Sequence, residues 1–219
     1  MNIIYENIGV FAVITLAIIV WNIFVILYVS KKVYQFFDKR KKRIPGEYIA
    51  RKTIHILAGG VTALLIPIVF IHHLEVAIML AFLMAAYVYY RREKDSMYWF
   101  QMSNNFYEVD FCVVYGFMIL IGWLSDNIWL GLTPILFMTF GDGITGIVRA
   151  LRQKQHIKSW DGTLAMFILC SVIGFLVFGW IGIVIAMAVS VMEKISWFDD
   201  NITVPFTGAF LIFFYSSIA

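Results

Sequence analysis

The strongest constraint on this chain is a succession of apolar runs long enough to cross a lipid bilayer. Eight can be read, at about 8–29, 53–71, 74–90, 108–124, 128–148, 163–178, 179–192 and 203–217. A helical span needs about 20 residues, with a range of roughly 17–25. The fourth, sixth, seventh and eighth runs are short, so either seven or eight spans fit. Composition agrees: 62% of residues are hydrophobic and 14% charged, against roughly 25% charged in soluble domains. The expected fold is all-α, a polytopic membrane helical bundle of seven to eight transmembrane helices. Short polar joints at His72–His73 and Ser125–Asn127 predict antiparallel neighbours. The first run has no basic leader and exceeds the roughly 7–15 residues of a signal-peptide core. With "SKKVYQFFDKRKKR" after it, it is expected to stay as an anchor.

The basic residues set an orientation. All Lys and Arg fall in four stretches, near 30–52, 91–107, 149–162 and 193–202. These alternate with joints carrying Glu6, Glu75, Asp126, His72 and His73. Lysine and arginine concentrate on the cytosolic side of membrane proteins. The basic side is therefore expected in the cytosol, with both termini outside. The membrane would be the plasma membrane of a prokaryote or the endoplasmic reticulum of a eukaryote. The first basic stretch, Lys31 to Arg43, suits anionic lipid headgroups. "SMYWFQMSNNFYEVD" reads as an interfacial helix leading into the fourth span. No nucleic-acid partner is expected, because the basic residues flank spans and do not form a soluble basic face. Self-association is left open. Cys112 and Cys170 sit in apolar runs without metal-binding spacing, and are expected to pack as small hydrophobes.

Against this background the polar residues within or beside spans need explaining. Insertion of Asp at a helix centre costs about 2.5–3.5 kcal/mol. Asp142 lies in "FGDGITGIVR", seven residues before Arg149, which is roughly 10 Å along a helix. Gly141, Gly143 and Gly146 surround it, allowing close backbone approach or a break in the helix. Its position points to a divalent metal or, alternatively, to capping of a broken helix. "HIKSWDGT" places Lys158, Ser159, Asp161, Gly162 and Thr163 at a helix start, where free N–H groups and a cation suit phosphate. "WFDDNITVP" supplies Asp199, Asp200 and Asn201, oxygen donors that suit Mg²⁺ or equally an N-terminal cap. In "RKTIHILAGG", Arg51, Lys52 and His55 share a helical face at the mouth of the second span. All these groups belong to the basic side. Carboxylates for a metal together with cations for phosphate imply a phosphorylated substrate, and a site at the lipid edge implies a lipid co-substrate.

Three segments carry a resemblance. "GDGITGIVRALRQKQHIKSWDGTLAMF" resembles the central motif of the CTP-dependent lipid-alcohol kinases, a family that includes dolichol, phytol and farnesol kinases. "RKTIHILAGG" is similar to that family's R-K-x-x-H segment, and "EKISWFDDNITVPFTG" to its late acidic segment. The segments occur in the family's order and span Arg51 to Gly208. Asp161 stands where the family usually has Glu, and "RALRQKQH" replaces a glycine-rich pattern. A first transmembrane helix and basic cytosolic loop over 1–50 lie outside the resemblance, which implies a lipid-kinase-like membrane domain over 51–219.

The resemblance further implies transfer of the γ-phosphoryl group of CTP to an isoprenoid alcohol of the dolichol/polyprenol or phytol/geranylgeraniol type. Asp142, Asp199 and Asp200 would hold Mg²⁺ or Mn²⁺. Arg51, Lys52, Gly141, Gly143, Lys158, Ser159, Asp161, Gly162, Thr163 and Asn201 would bind nucleotide or phosphate. The base would be His55 or one of the carboxylates. Other readings are a CTP-dependent diacylglycerol kinase, a CTP:lipid-phosphate cytidylyltransferase, a small-solute transporter and a structural anchor. The related phosphatidate cytidylyltransferases carry a C-terminal Gly, His and Asp signature that is not found here. Absence of a repeat and the one-sided polar cluster argue against a transporter.

Overall fold

The computed structural model describes residues 7–39, 46–101, 105–152, 158–195 and 198–218. All regular structure among them is helical. Among the described residues, seven helices are long and apolar enough to cross a membrane. We label them α1 (Ile8–Asp38), α2 (Gly46–Phe70), α3 (Leu74–Lys94), α4 (Tyr107–Leu124), α5 (Ile128–Arg152), α6 (Trp160–Phe178) and α8 (Asp200–Ile218). Between the last two lies α7 (Trp180–Ile195), of 16 residues. At about 1.5 Å per residue it is roughly 24 Å long, short of a hydrocarbon core of about 30 Å.

The central helix is α5. Its most apolar window is 78% buried, against 22–44% for the other spans. It packs on α2, α4, α6 and α8. Around it, α3 packs on α4, α1 on α2, and α7 on both α6 and α8. The core is aliphatic and aromatic, with Ile66, Phe70, Met118, Leu132, Phe137 and Met138 fully enclosed. Many large apolar side chains face outward instead, including Phe210, Phe213 and Phe214 on α8, as expected where the solvent is lipid.

Two expectations are corrected. The helix of α1 runs on through the first basic residues, and α2 is already helical at Gly46, upstream of 53. There it packs closely on α1: a Cβ on Gly46 would meet Tyr34 at 2.9 Å. Arg40, Lys41, Lys42 and Arg43, expected to meet anionic headgroups, lie outside the described residues. The interfacial helix before α4 is not formed among the described residues of that stretch. Met97, Trp99 and Phe100 instead make a buried turn against α1. Side chains satisfy the backbone there: Met97 N donates to Gln101 Oε1 at 2.6 Å, and Gln101 Nε2 donates to Val88 O at 3.1 Å. The Trp99 indole donates to Ile26 O at 3.1 Å and to Ser30 Oγ at 3.0 Å.

Four stretches adopt π-helical geometry: Val25–Val29, His55–Gly60, Ile66–Phe70 and Phe137–Gly141. π turns insert a residue into the helical register and often occur at functional sites. The second and fourth pack against each other.

Candidate functional site

The paired π turns position the two innermost polar groups. His55 opens the turn in α2, and Asp142 follows the turn in α5. The approach needs a bare backbone at Gly60, where a Cβ would meet the Phe140 ring at 2.7 Å. Asp142 is 1% exposed. Lys52 Nζ lies 2.5 Å from both of its carboxylate oxygens. His55 Nδ1 stands 3.4 Å from Asp142 Oδ2, a long approach that leaves Nδ1 without a hydrogen bond. The His55 ring stacks on Phe111, with centroids 4.3 Å apart. Thr145 Oγ1 donates to Asp142 O at 2.7 Å, which steadies the first turn after the carboxylate. Gly146 lets the Lys52 stem pass, since a Cβ there would be 2.5 Å from Lys52 Cγ.

Further ion pairs extend the site. Arg149 Nη2 pairs with Glu193 Oε1 at 2.9 Å, and both residues are buried. Lys158 Nζ bonds Asp200 Oδ1 at 2.7 Å and Glu193 O at 2.6 Å. Lys194 Nζ bonds Lys158 O. Acidic and basic groups thus alternate, as buried charges require compensating partners.

A polar pocket of about 160 Å³ gathers Arg51, Lys52, His55, Asp142, Lys158, Asp199, Asp200 and Asn201. Eight residues singled out from the sequence, drawn from α2, α5, α8 and the connections before α6 and α8, therefore share one cavity. The sequence-predicted Gly141, Gly143, Ser159, Asp161, Gly162 and Thr163 do not line it. Gly141 faces Cys170 and Gly143 faces Ile56. Ser159 and Thr163 build the N-terminus of α6, with Ser159 Oγ accepting from Gly162 N and Thr163 Oγ1 donating to Ser159 O. Asp161 is exposed and pairs with Arg152 at 3.2 Å.

Sequence reasoning missed several members. Tyr48, Tyr107, Arg149 and Phe198 also line the pocket. Tyr48 lies one helical turn before Lys52, a signal that helical spacing offered. In the sequence Glu193 merely follows the seventh apolar run. The three carboxylates that approach one another are Asp142, Glu193 and Asp200, each with an oxygen within 4.8 Å of the others. Asp199 lines the same pocket but caps α8, accepting from Asn201 N at 2.9 Å. Burial pushes its carboxyl up to about 7; the charges of Asp110 and Asp142 add to the rise, and hydrogen bonds from Asn201 oppose it.

The donor chemistry fits a hard divalent cation, which takes oxygen ligands. One oxygen favours that fit. Asn201 Oδ1 is buried without a hydrogen bond, and Glu193 Oε1 is buried with the Arg149 guanidinium as its ion-pair partner. Basic groups now neutralise the cluster, and Lys52, Arg149 and Lys158 are equally suited to phosphate oxygens.

A second cavity, of about 300 Å³, adjoins the first. Its wall is almost wholly apolar and comes mainly from α1, α2, α3 and α4. Arg51 and His55 line both cavities. Exposed Leu83 and Tyr87 form part of the wall, so the chamber reaches the outer surface of the bundle.

Comparison of the chain with protein-family models, with curated proteins and with solved structures returns no match.

Proposed function

We propose that this protein is an integral-membrane phosphotransferase that moves the γ-phosphoryl group of CTP to the hydroxyl of an isoprenoid lipid alcohol. The carrying observation is the junction of two unlike cavities: one polar and rich in paired charges, the other apolar and open to the bundle surface, with Arg51 and His55 in both walls. That arrangement suits a reaction between a polyanion and an amphiphile. The choice of CTP and of an isoprenoid acceptor comes from the three sequence segments that resemble the CTP-dependent lipid-alcohol kinases.

Phosphoryl transfer depends on positioning and charge neutralisation more than on covalent help from the protein. Asp142, Glu193 and Asp200 would hold Mg²⁺ or Mn²⁺, with Asn201 and Asp199 beside them. Such an ion, when bound, neutralises charge on the phosphates. Lys52, Lys158, Arg149 and Arg51 would turn from their carboxylate partners toward phosphate oxygens. The acceptor oxygen forms its bond to the γ-phosphorus as the bond to the β-bridging oxygen breaks, leaving CDP. The hydroxyl proton leaves to a base at the junction of the cavities, a carboxylate or His55, whose Nδ1 is unbonded. By the distribution of Lys and Arg, the polar pocket would open to the cytosol.

The test is an assay of purified, lipid-reconstituted protein with γ-labelled nucleotides and a panel of lipid alcohols. The expected result is a labelled lipid phosphate, greatest with CTP and an isoprenoid alcohol, and abolished by EDTA. Solute flux through the protein with no lipid product from any nucleotide would instead support a transporter.

A further inference from the structure

We infer that Glu108 is the group that binds the hydroxyl of a neutral amphiphile in the apolar chamber, an inference that rests on the phosphotransferase reading. Spacing along α4 places Glu108, Phe111, Cys112, Tyr115 and Ile119 on one helical face, and all five line the chamber. Among the described residues Glu108 is the one carboxylate in that wall, and it is buried. A carboxylate facing an apolar chamber is costly unless it has a polar partner.

The partner present is incomplete. Arg51 Nη1 approaches Glu108 Oε1 at 3.5 Å, a single long contact and not the two-pronged pairing that guanidinium and carboxylate groups form when they saturate each other. Arg51 is also held by aromatic faces, 5.1 Å from the Tyr107 ring and 6.0 Å from that of Tyr48. Glu108 therefore keeps acceptor capacity toward the chamber. An ionised carboxylate accepts hydrogen bonds and donates none. The ligand end it suits is a hydroxyl, and it repels a lipid phosphate or a fatty-acid carboxylate.

The neighbours agree with this placement. Phe111, one turn beyond Glu108, stacks on His55, so the hydroxyl would rest beside the junction with the polar pocket. Tyr115, one turn further, donates to Gly59 O at 2.9 Å and fixes α4 against the π turn of α2. Beyond them the wall is apolar and suits a hydrocarbon chain.

The decisive experiment uses geranylgeraniol carrying a diazirine on the carbon chain next to the hydroxyl. It is photolysed with the reconstituted wild-type protein, and Glu108→Gln and Glu108→Ala are assayed in parallel. The expected adduct lies on the peptide containing Glu108, and is displaced more effectively by unlabelled geranylgeraniol than by geranylgeranyl phosphate. Loss of a hydrogen bond to a charged group is expected to lower kcat/KM for the alcohol by roughly 10–100-fold. Because Arg51, the partner of Glu108, lines the polar pocket, the KM for CTP is measured alongside, and the loss in kcat/KM for the alcohol is expected to exceed any change in it. An adduct elsewhere, or unchanged acceptor kinetics in both variants, would overturn the inference while leaving the kinase reading intact. A competed adduct at Glu108 without phosphoryl transfer from any nucleotide would sink the kinase reading and keep the hydroxyl site. If the variants do not fold, the wild-type adduct decides.

Discussion

At the residue scale, the site is governed by the cost of burying charge. Asp142 and Lys52 have side chains only 2% and 7% exposed. Removing one partner of such a pair costs about 3–5 kcal/mol, because the other is left uncompensated. Lys52→Met is therefore expected to lower thermal stability in detergent by about that amount, and adding Asp142→Asn should recover much of the loss without restoring activity. Asp142→Asn alone should lower phosphoryl transfer by more than ~100-fold, the scale seen when one preorganised electrostatic group is removed. Glu193→Gln should fall similarly, whereas the exposed Asp161→Asn should stay within a few-fold of wild type in the same labelled-lipid assay. That contrast separates the structural grouping from the sequence motif. Asp142 was legible because a carboxylate inside an apolar run has no cheap explanation. Glu193 was not, since a Glu at the end of a span reads as an ordinary headgroup-zone residue. Asp161 was misleading for the opposite reason: its motif marks a helix start, and a helix start fixes the backbone without saying which way the side chain points.

At the element scale, helices bring distant residues together by close contact. α6 and α7 form a hairpin through Gly179, whose φ of 62° suits glycine. Along it Gly174 and Gly182 touch: a Cβ on Gly182 would lie 2.0 Å from Gly174 O. The clash is with backbone, so a side chain cannot turn away from it. Gly182→Val is expected to destabilise by at least about 1–3 kcal/mol, the usual cost of overpacking, measured as lowered Tm or loss of the monodisperse peak in size-exclusion chromatography. The apolar runs revealed that these helices exist. Their ends were less legible, because hydropathy stops at the first charge while the hydrogen-bonded helix continues, as it does through Lys31 and Lys32 in α1. The π turns gave no sequence signal that periodicity detects. Two of them face each other where His55 and Asp142 meet.

At the scale of the whole molecule, α5 forms a buried axis with the polar pocket at one end, and the apolar chamber lies beside that pocket. Alternation of basic and non-basic joints predicts that all pocket residues face the cytosol. Single cysteines replacing Asp95 and Asp126, in a background lacking Cys112 and Cys170, should react with impermeant maleimide from opposite sides of the membrane. Labelling of both from one side would contradict this alternation, because α4, the helix between them, would then fail to cross. The grouping of α2, α5 and α8 around one pocket was legible in outline, because their polar residues fell on the same side of the alternation. The apolar chamber was not, since its lining is indistinguishable in sequence from lipid-facing or core residues until the helices are packed.

The central claim is phosphoryl transfer from nucleotide to lipid at the junction of the two cavities. Its most direct test compares CTP labelled at the γ-phosphorus with CTP labelled at the α-phosphorus, using the reconstituted protein, Mg²⁺ and geranylgeraniol. The account predicts γ-label in a lipid monophosphate, no α-label in lipid, and loss of the product with Asp142→Asn. Entry of α-label into lipid, or γ-label transfer that persists in Asp142→Asn, would contradict it.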